Sequence, residues 1–150
     1  MAKLSDLLAK KGHEVWSIGP ASSVYQAIEM MALKGVGALT VLSDSGQLTG
    51  IISERDYARK VILQGKSSKE TSVEEIMTRD VVYVHEDLSI EECMALMTAK
   101  RIRHLPVLTD GTLTGMISVG DLVKSIIDEQ SFVISQLERY IRGETPGVNF

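Results

Sequence analysis

Cysteine appears once in the 150 residues, at position 93, which excludes an intramolecular disulfide and any Cys-x-x-Cys redox or metal motif. So little cysteine suits a reducing compartment, and cytoplasm is the expected location. Histidine is scarce as well, at positions 13, 85 and 104: His13 and His85 have no ligand-type neighbour at close spacing and no His-x-x-x-His occurs, so no metal site is expected. Aromatic residues make up only 5%, and 20 acidic residues outnumber 16 basic ones to leave a net charge of -4. With no long basic run and no basic face interleaved with aromatics, that charge argues against a general nucleic-acid binder, and no nucleic-acid partner is expected. No apolar run reaches 18 residues, and Met1-Ala2-Lys3-Leu4-Ser5-Asp6 lacks the apolar core of a signal peptide, so no membrane partner is expected. A Gly-x-x-x-x-Gly-Lys-Ser/Thr loop is missing too. Gly35-Val36-Gly37-Ala38-Leu39-Thr40 imitates a dinucleotide fingerprint, but a helix precedes it and a strand follows, the reverse of what the fingerprint requires.

What the chain does have is a repeat. With 44% hydrophobic and 24% charged residues it can bury a core as one compact unit or two small halves, and the second half copies the first at an offset of 66 residues. Val24, Ala27, Ile28 and Met31 form an amphipathic helical stripe that Ile90, Cys93, Met94 and Met97 reproduce, with Ser23 and Ser89 placed as N-caps. Next, Lys34 to Leu42 aligns with Lys100 to Leu108 as short buried strands. The turns Ser43-Asp44-Ser45-Gly46 and Thr109-Asp110-Gly111 differ by one residue, so the offset becomes 65, and each leads as a hairpin into Leu-Thr-Gly, at 48–50 and 113–115.

An extended segment precedes each copy, Val15 to Ile18 and Val81 to Val84, which completes two β-α-β-β-α units in an α/β (α+β) chain. The boundaries are a first unit at 13–65, a linker at 66–75, a second unit at 76–130, and a C-terminal helix and tail at 131–150. Leu122, Val123, Ile126, Ile127, Val133, Leu137, Tyr140 and Ile141 suggest one long or broken helix ended by a loose Gly143-Glu144-Thr145-Pro146-Gly147.

The repeated stretch ends in Ser-x-x-Asp at a strand-to-helix junction, Ser53 to Asp56 and Ser118 to Asp121. One reading is structural: the spacing is that of an N-cap and its third helical position, a capping box with Asp for Glu. The other is functional: a helix N-terminus suits an anion, and a carboxylate there can accept both hydroxyl protons of a ribose. The two are compatible, and duplication favours a ligand.

Together these residues resemble the tandem cystathionine-β-synthase domain pair, often called a Bateman module, from about Val15 to Ile127. The resemblance rests on the repeated Gly-hydrophobic-x-Ser-x-x-Asp, on Gly35-Val36-Gly37-Ala38-Leu39 and Arg101-Ile102-Arg103-His104-Leu105-Pro106-Val107, and on Ile76-Met77-Thr78-Arg79. It implies two units paired about a pseudo-twofold axis, with clefts that bind adenosine-containing ligands and regulate a partner without chemistry. Carried over, it makes Asp56 and Asp121 the ribose acceptors, with Ser53 and Ser118 bonding ribose or phosphate. Ile51, Met116, Val36, Gly37, Ala38 and Ile102 would flank the adenine; Arg55, Arg103 and His104 would meet phosphate; Thr78 would face the ligand across the cleft. The first half departs in having Gly37-Ala38 for Arg103-His104, and Gly12-His13 where the second half has Thr78-Arg79.

Other candidates read as packing. Cys93 aligns with Ala27 on an apolar stripe and is expected to be buried and inert; the seven methionines lie largely on the helical stripes as core or interface filler; Trp16 is a strand-borne aromatic that can stack on a base if it lies near a cleft. The expected function is a sensor of adenine nucleotides, AMP first, with ADP, ATP, NAD(H) and S-adenosylmethionine as other ligands, acting as a homodimer on another protein. The alternatives are a nucleotide-acting enzyme, with Asp56 or Asp121 as general base, and a ligand-free oligomerisation scaffold.

Overall fold

The computed structural model describes residues 2–141. Helix α1 (Leu4–Lys11) leads into strand β1 (Ser17–Ile18), helix α2 (Val24–Lys34), strands β2 (Ala38–Leu42) and β3 (Leu48–Ser53), and helix α3 (Glu54–Tyr57), which continues as a wider π turn over Ala58–Ile62. A short helix α4 (Val73–Ile76) opens the second half, followed by α5 (Ile90–Lys100), β4 (His104–Thr109), β5 (Thr112–Ser118) and a long α6 (Val119–Ile141).

Local chemistry sets the ends of these elements. The Ser23 hydroxyl accepts the Gln26 N–H at 3.1 Å while the Gln26 side chain accepts the Ser23 N–H at 2.9 Å, and Ser89 with Glu92 does the same on α5. Helix α2 ends on Gly35 in the left-handed region at φ 67°; α5 ends in the same conformation on Arg101, at φ 54°. Asp110 and Gly111 both have positive φ, as a tight hairpin between β4 and β5 requires.

The first sheet has the order β1-β2-β3, with β1 parallel to β2 and β2 antiparallel to β3, so that Ala38 lies opposite Ser53. The second is the β4–β5 hairpin, with His104 opposite Ser118. Here one expectation is corrected: the segment 81–84 forms no strand like β1, and joins its sheet only through a single parallel bridge, Val84 to Val107. The reason is Pro106. At the equivalent place Thr40 donates its N–H to Trp16 O at 3.3 Å, and proline has no N–H to give.

Two cores result, and neither follows the repeat boundaries. Leu4, Leu7 and Leu8 of α1 pack with Val84, Ile90, Cys93, Met97, Leu105 and Ile117 of the second half. Val73, Ile76 and Met77, from α4 and the residue after it, pack with Val24, Leu39, Val41 and Ile52 of the first. The exchange is symmetric to the bond: Leu4 N donates to Leu88 O as Val73 N donates to Ser22 O, and Ile90 N donates to Ala2 O as Val24 N donates to Thr71 O. The first half's lead-in helix thus matches α4 at an offset of 69, not 66. Helix α6 runs unbroken to Ile141, and the expected loose end at 143–147 lies outside the described residues.

Candidate functional site

Each Ser-x-x-Asp junction forms as a closed box. The Ser53 N–H and hydroxyl both donate to Asp56 Oδ2, at 2.9 and 3.1 Å, and the Asp56 N–H returns to Ser53 Oγ at 3.2 Å. The Ser118 N–H donates to Asp121 Oδ2 at 2.8 Å, and the Asp121 N–H donates back to Ser118 Oγ at 3.1 Å. The neighbouring strand starts are tied to the same helices, since Glu54 N donates to Gly37 O and Val119 N to Arg103 O. A carboxylate, a hydroxyl and a helix N-terminus are therefore presented together, twice, at the mouth of a cleft.

The Asp56 cleft has a volume of about 370 Å³, within the range of small-ligand sites. Ser53, Arg55, Asp56 and Ile51 line it from the first half, Thr78 from the connection, and Ile102, Arg103 and His104 from the second half. The Asp121 cleft, about 360 Å³, is lined by Ser118, Asp121 and Met116 with Val36, Gly37 and Ala38. Gly37 and His104 face both clefts. A Cβ at Gly37 would lie 3.5 Å from His104 Cε1 and Nε2, an ordinary van der Waals contact, so the imidazole stands directly beside Gly37.

Sequence reading missed several lining residues. Arg101 and Asp80 belong to the Asp56 cleft, and Lys11 and Glu14 to the Asp121 cleft, where Trp16, named above as an aromatic that can stack on a base, also stands. Arg101 carried a signal, an arginine at a left-handed helix end where the other copy has Gly35. Lys11 carried none, because Gly12-His13 does not match Thr78-Arg79 as the sequence suggested: the bonds of α1 and α4 place Leu8 with Met77 and hence Lys11 with Asp80.

Charge distinguishes the clefts. Arg55, Arg101 and Arg103 all line the Asp56 cleft, and among the described residues none of the three guanidiniums makes a salt bridge. Asp56 is held instead by Lys60, 3.1 Å away and one turn further along its own helix. In the other cleft Lys11 Nζ donates to Asp121 Oδ2 and to Met116 O, both at 2.6 Å. Burial pushes the Asp121 carboxyl up, but the hydrogen bonds from Lys11 and Ser118 and the Lys11 charge outweigh it and leave the group below the ordinary carboxylate value. For His104, burial and then the Lys11 charge lower its pKa against the pull of Asp121, with Arg103 adding to the fall, so the neutral ring is favoured. Trp16 stands at the Asp121 cleft with the Lys34 ammonium 4.2 Å from its ring centre. Cys93 is buried, and burial with the neighbouring Glu92 pushes its thiol up to about 11. Among the described residues no three His, Cys, Asp or Glu side chains are grouped to hold a metal ion, and no helix is long and apolar enough to cross a membrane.

A model of the CBS domain matches residues 5–62 and again 73–128. The chain belongs to the CBS domain family. It is 40% identical over 149 residues to the mitochondrial CBS domain-containing protein CBSX3 of Arabidopsis thaliana, covering 93% of this chain and 72% of that one. A CBS-domain protein from Burkholderia ambifaria superposes with a TM-score of 0.82 at 52% identity, over 86% of this chain and 96% of the other. The CBS domain pair of protein MJ0100, solved in complex with 5'-methylthioadenosine and S-adenosyl-L-methionine, superposes with a TM-score of 0.77 at 25% identity, over 86% and 98% of the two chains. CBS domain pairs are in general regulatory, ligand-binding modules, and this chain is built as such a pair.

Proposed function

We propose that the protein is an adenine-nucleotide sensor that acts on another protein through a ligand-dependent change of shape and performs no catalysis itself. The observation that carries this is the Asp56 cleft, where a carboxylate suited to a ribose diol stands beside three guanidiniums that no carboxylate among the described residues pairs. Asp56 and Ser53 hold the ribose, Ile51 and Ile102 flank the base, Thr78 faces it, and Arg55, Arg101 and Arg103 take the phosphate. A related pair that holds two adenosine compounds supports the class of ligand. AMP is the first ligand to test, with ADP, ATP, NAD(H) and S-adenosylmethionine beside it. The cytoplasmic location rests on the lone cysteine.

The second copy of the chain is the proposed partner in a homodimer. Along α6, Val119, Val123, Ile126, Val133, Leu137 and Tyr140 recur at alternating spacings of three and four, with Gln130 the one polar member, and Val133, Leu137 and Tyr140 are exposed. Light scattering at micromolar concentration should give twice the chain mass.

Calorimetry and thermal melting test the sensor reading together. AMP should raise the melting temperature, and Asp56→Asn should weaken binding by about ten- to a hundredfold while changing stability by only about 1 kcal/mol. Unchanged melting with all five ligands would leave the clefts as capped junctions and nothing more.

A further inference from the structure

Lys11 reaches from the lining of the Asp121 cleft onto its aspartate, as no basic lining residue among the described ones does in the twin. Its ammonium satisfies two acceptors that line the cleft, Asp121 Oδ2 and Met116 O, each at 2.6 Å. In the first half the acceptor equivalent to Met116 O is Ile51 O, and there the backbone N–H of Thr78 fills it at 2.9 Å. Asp56 does face a lysine, but Lys60 is rooted on the same helix and does not line the cleft. The residue at the place of Lys11 is Asp80, which would repel a carboxylate.

The cause lies in the two lead-in helices. Helix α4 stops at Ile76, and Met77 turns to extended backbone at ψ 152°, so that Thr78 runs along β3 as a bridge. Helix α1 stays helical to Lys11, with Leu4, Leu7 and Leu8 anchoring it in the second core. Its last turn therefore delivers a side chain where α4 delivers backbone. A cation at a helix C-terminus is also favoured by the helix dipole.

We propose that Lys11 is a built-in occupant of the Asp121 cleft, an ammonium standing where the hydroxyl donors of a nucleoside would bind, so that the cleft admits a nucleoside only by expelling it. This rests on the reading of the clefts as nucleoside sites. Expulsion separates Lys11 from its carboxylate. A phosphorylated nucleoside gives the ammonium a new anionic partner, whereas plain adenosine gives it none and meets the full cost. The Asp121 cleft therefore discriminates against unphosphorylated nucleosides, and Lys11 sets that discrimination without contacting the base.

Titration of adenosine and of AMP into the wild-type protein, Lys11→Met and Asp56→Asn tests this, with heat and Trp16 fluorescence read together. Trp16 is the chain's single tryptophan and lines the Asp121 cleft, so its signal reports that cleft. Lys11→Met should raise adenosine affinity at the Trp16-reported site by about three- to tenfold, as loss of a part-exposed ion pair predicts, and should help AMP less. Lys11→Arg, which keeps the charge, should leave adenosine weak there. Adenosine affinity that is unchanged or reduced in Lys11→Met overturns the proposal. If adenosine still binds the other cleft, and that binding is lost in Asp56→Asn, the nucleoside reading survives that result; if neither compound binds any variant, both fall.

Discussion

The two halves begin from nearly the same sequence plan and arrive at unlike clefts. Both close a serine–aspartate box on a helix N-terminus, both tie a strand start to that helix, and each packs the other half's lead-in helix into its core. They part over a few substitutions. Thr40 against Pro106 gives the first half a third strand and denies it to the second; Lys11 against Asp80 sets an ammonium on the aspartate of one cleft and a carboxylate in the lining of the other; Gly35 against Arg101 adds a guanidinium to the Asp56 cleft. Duplication preserved what each fold unit needs for its backbone hydrogen bonds. It did not preserve the side chains that point into the space between the units, where charge can change at little cost to folding.

The largest break in that comparison should come from Gly50 and Gly115, which sit at the same place in β3 and β5. A Cβ at Gly50 would lie 2.6 Å from Met77 Sδ and 2.9 Å from Thr78 O, whereas at Gly115 it would meet only Leu8 side-chain atoms, 2.7 Å at the nearest. Alanine at either place should cost roughly 1–3 kcal/mol by overpacking, with Gly50→Ala the worse because a backbone carbonyl yields less than a leucine rotamer. Denaturant melts of the two variants decide it; equal losses would mean that the Thr78 bridge is not rigid.

Arg101 sharpens the difference in charge. An L-residue in the left-handed region costs roughly 1 kcal/mol relative to glycine, and Gly35 shows that glycine fits this helix end. Arg101→Gly should therefore raise stability by about 0.5–1 kcal/mol while lowering AMP affinity about tenfold in the Asp56 cleft alone. A variant that is stabilised and binds AMP unchanged would show that the arginine is not a phosphate contact.

The smallest effect is a pH dependence at the shared histidine. Burial lowers the folded-state pKa of His104 beneath its ordinary value of about 6.5, so the unfolded chain binds the proton more readily. Stability from this group is present above that ordinary value and is lost as pH falls through the folded value. Unfolding free energies measured downward from neutral pH should decline in the wild type and decline less in His104→Gln. An identical decline in both would place the dependence elsewhere, on the carboxylates.

Much of this was legible beforehand because it is local. Ser23 and Ser89 cap helices through residues three positions away, and Ser53–Asp56 and Ser118–Asp121 close over the same span, so spacing along the chain fixes the geometry. The helical stripes that reach Met31 and Met97 bury as their period requires, and α6 follows its apolar spacing to Ile141. The lack of a third strand at 81–84 is not legible even with Pro106 in the sequence, because the partner of a proline is known only once the sheet order is known.

What sequence by itself determined, then, is the repeat, the capped junctions and the identity of the residues offered to the clefts. Only the tertiary structure decided which residues share a cleft. Lys11 reaches Asp121 across 110 positions, and Arg55 joins Arg101 and Arg103 around one cavity, through packing of α1 and α4 into each other's neighbouring cores. Contacts of that range leave no period in the chain, because they are set by how apolar faces bury against one another, and the charged groups that those faces carry along are brought together as a consequence.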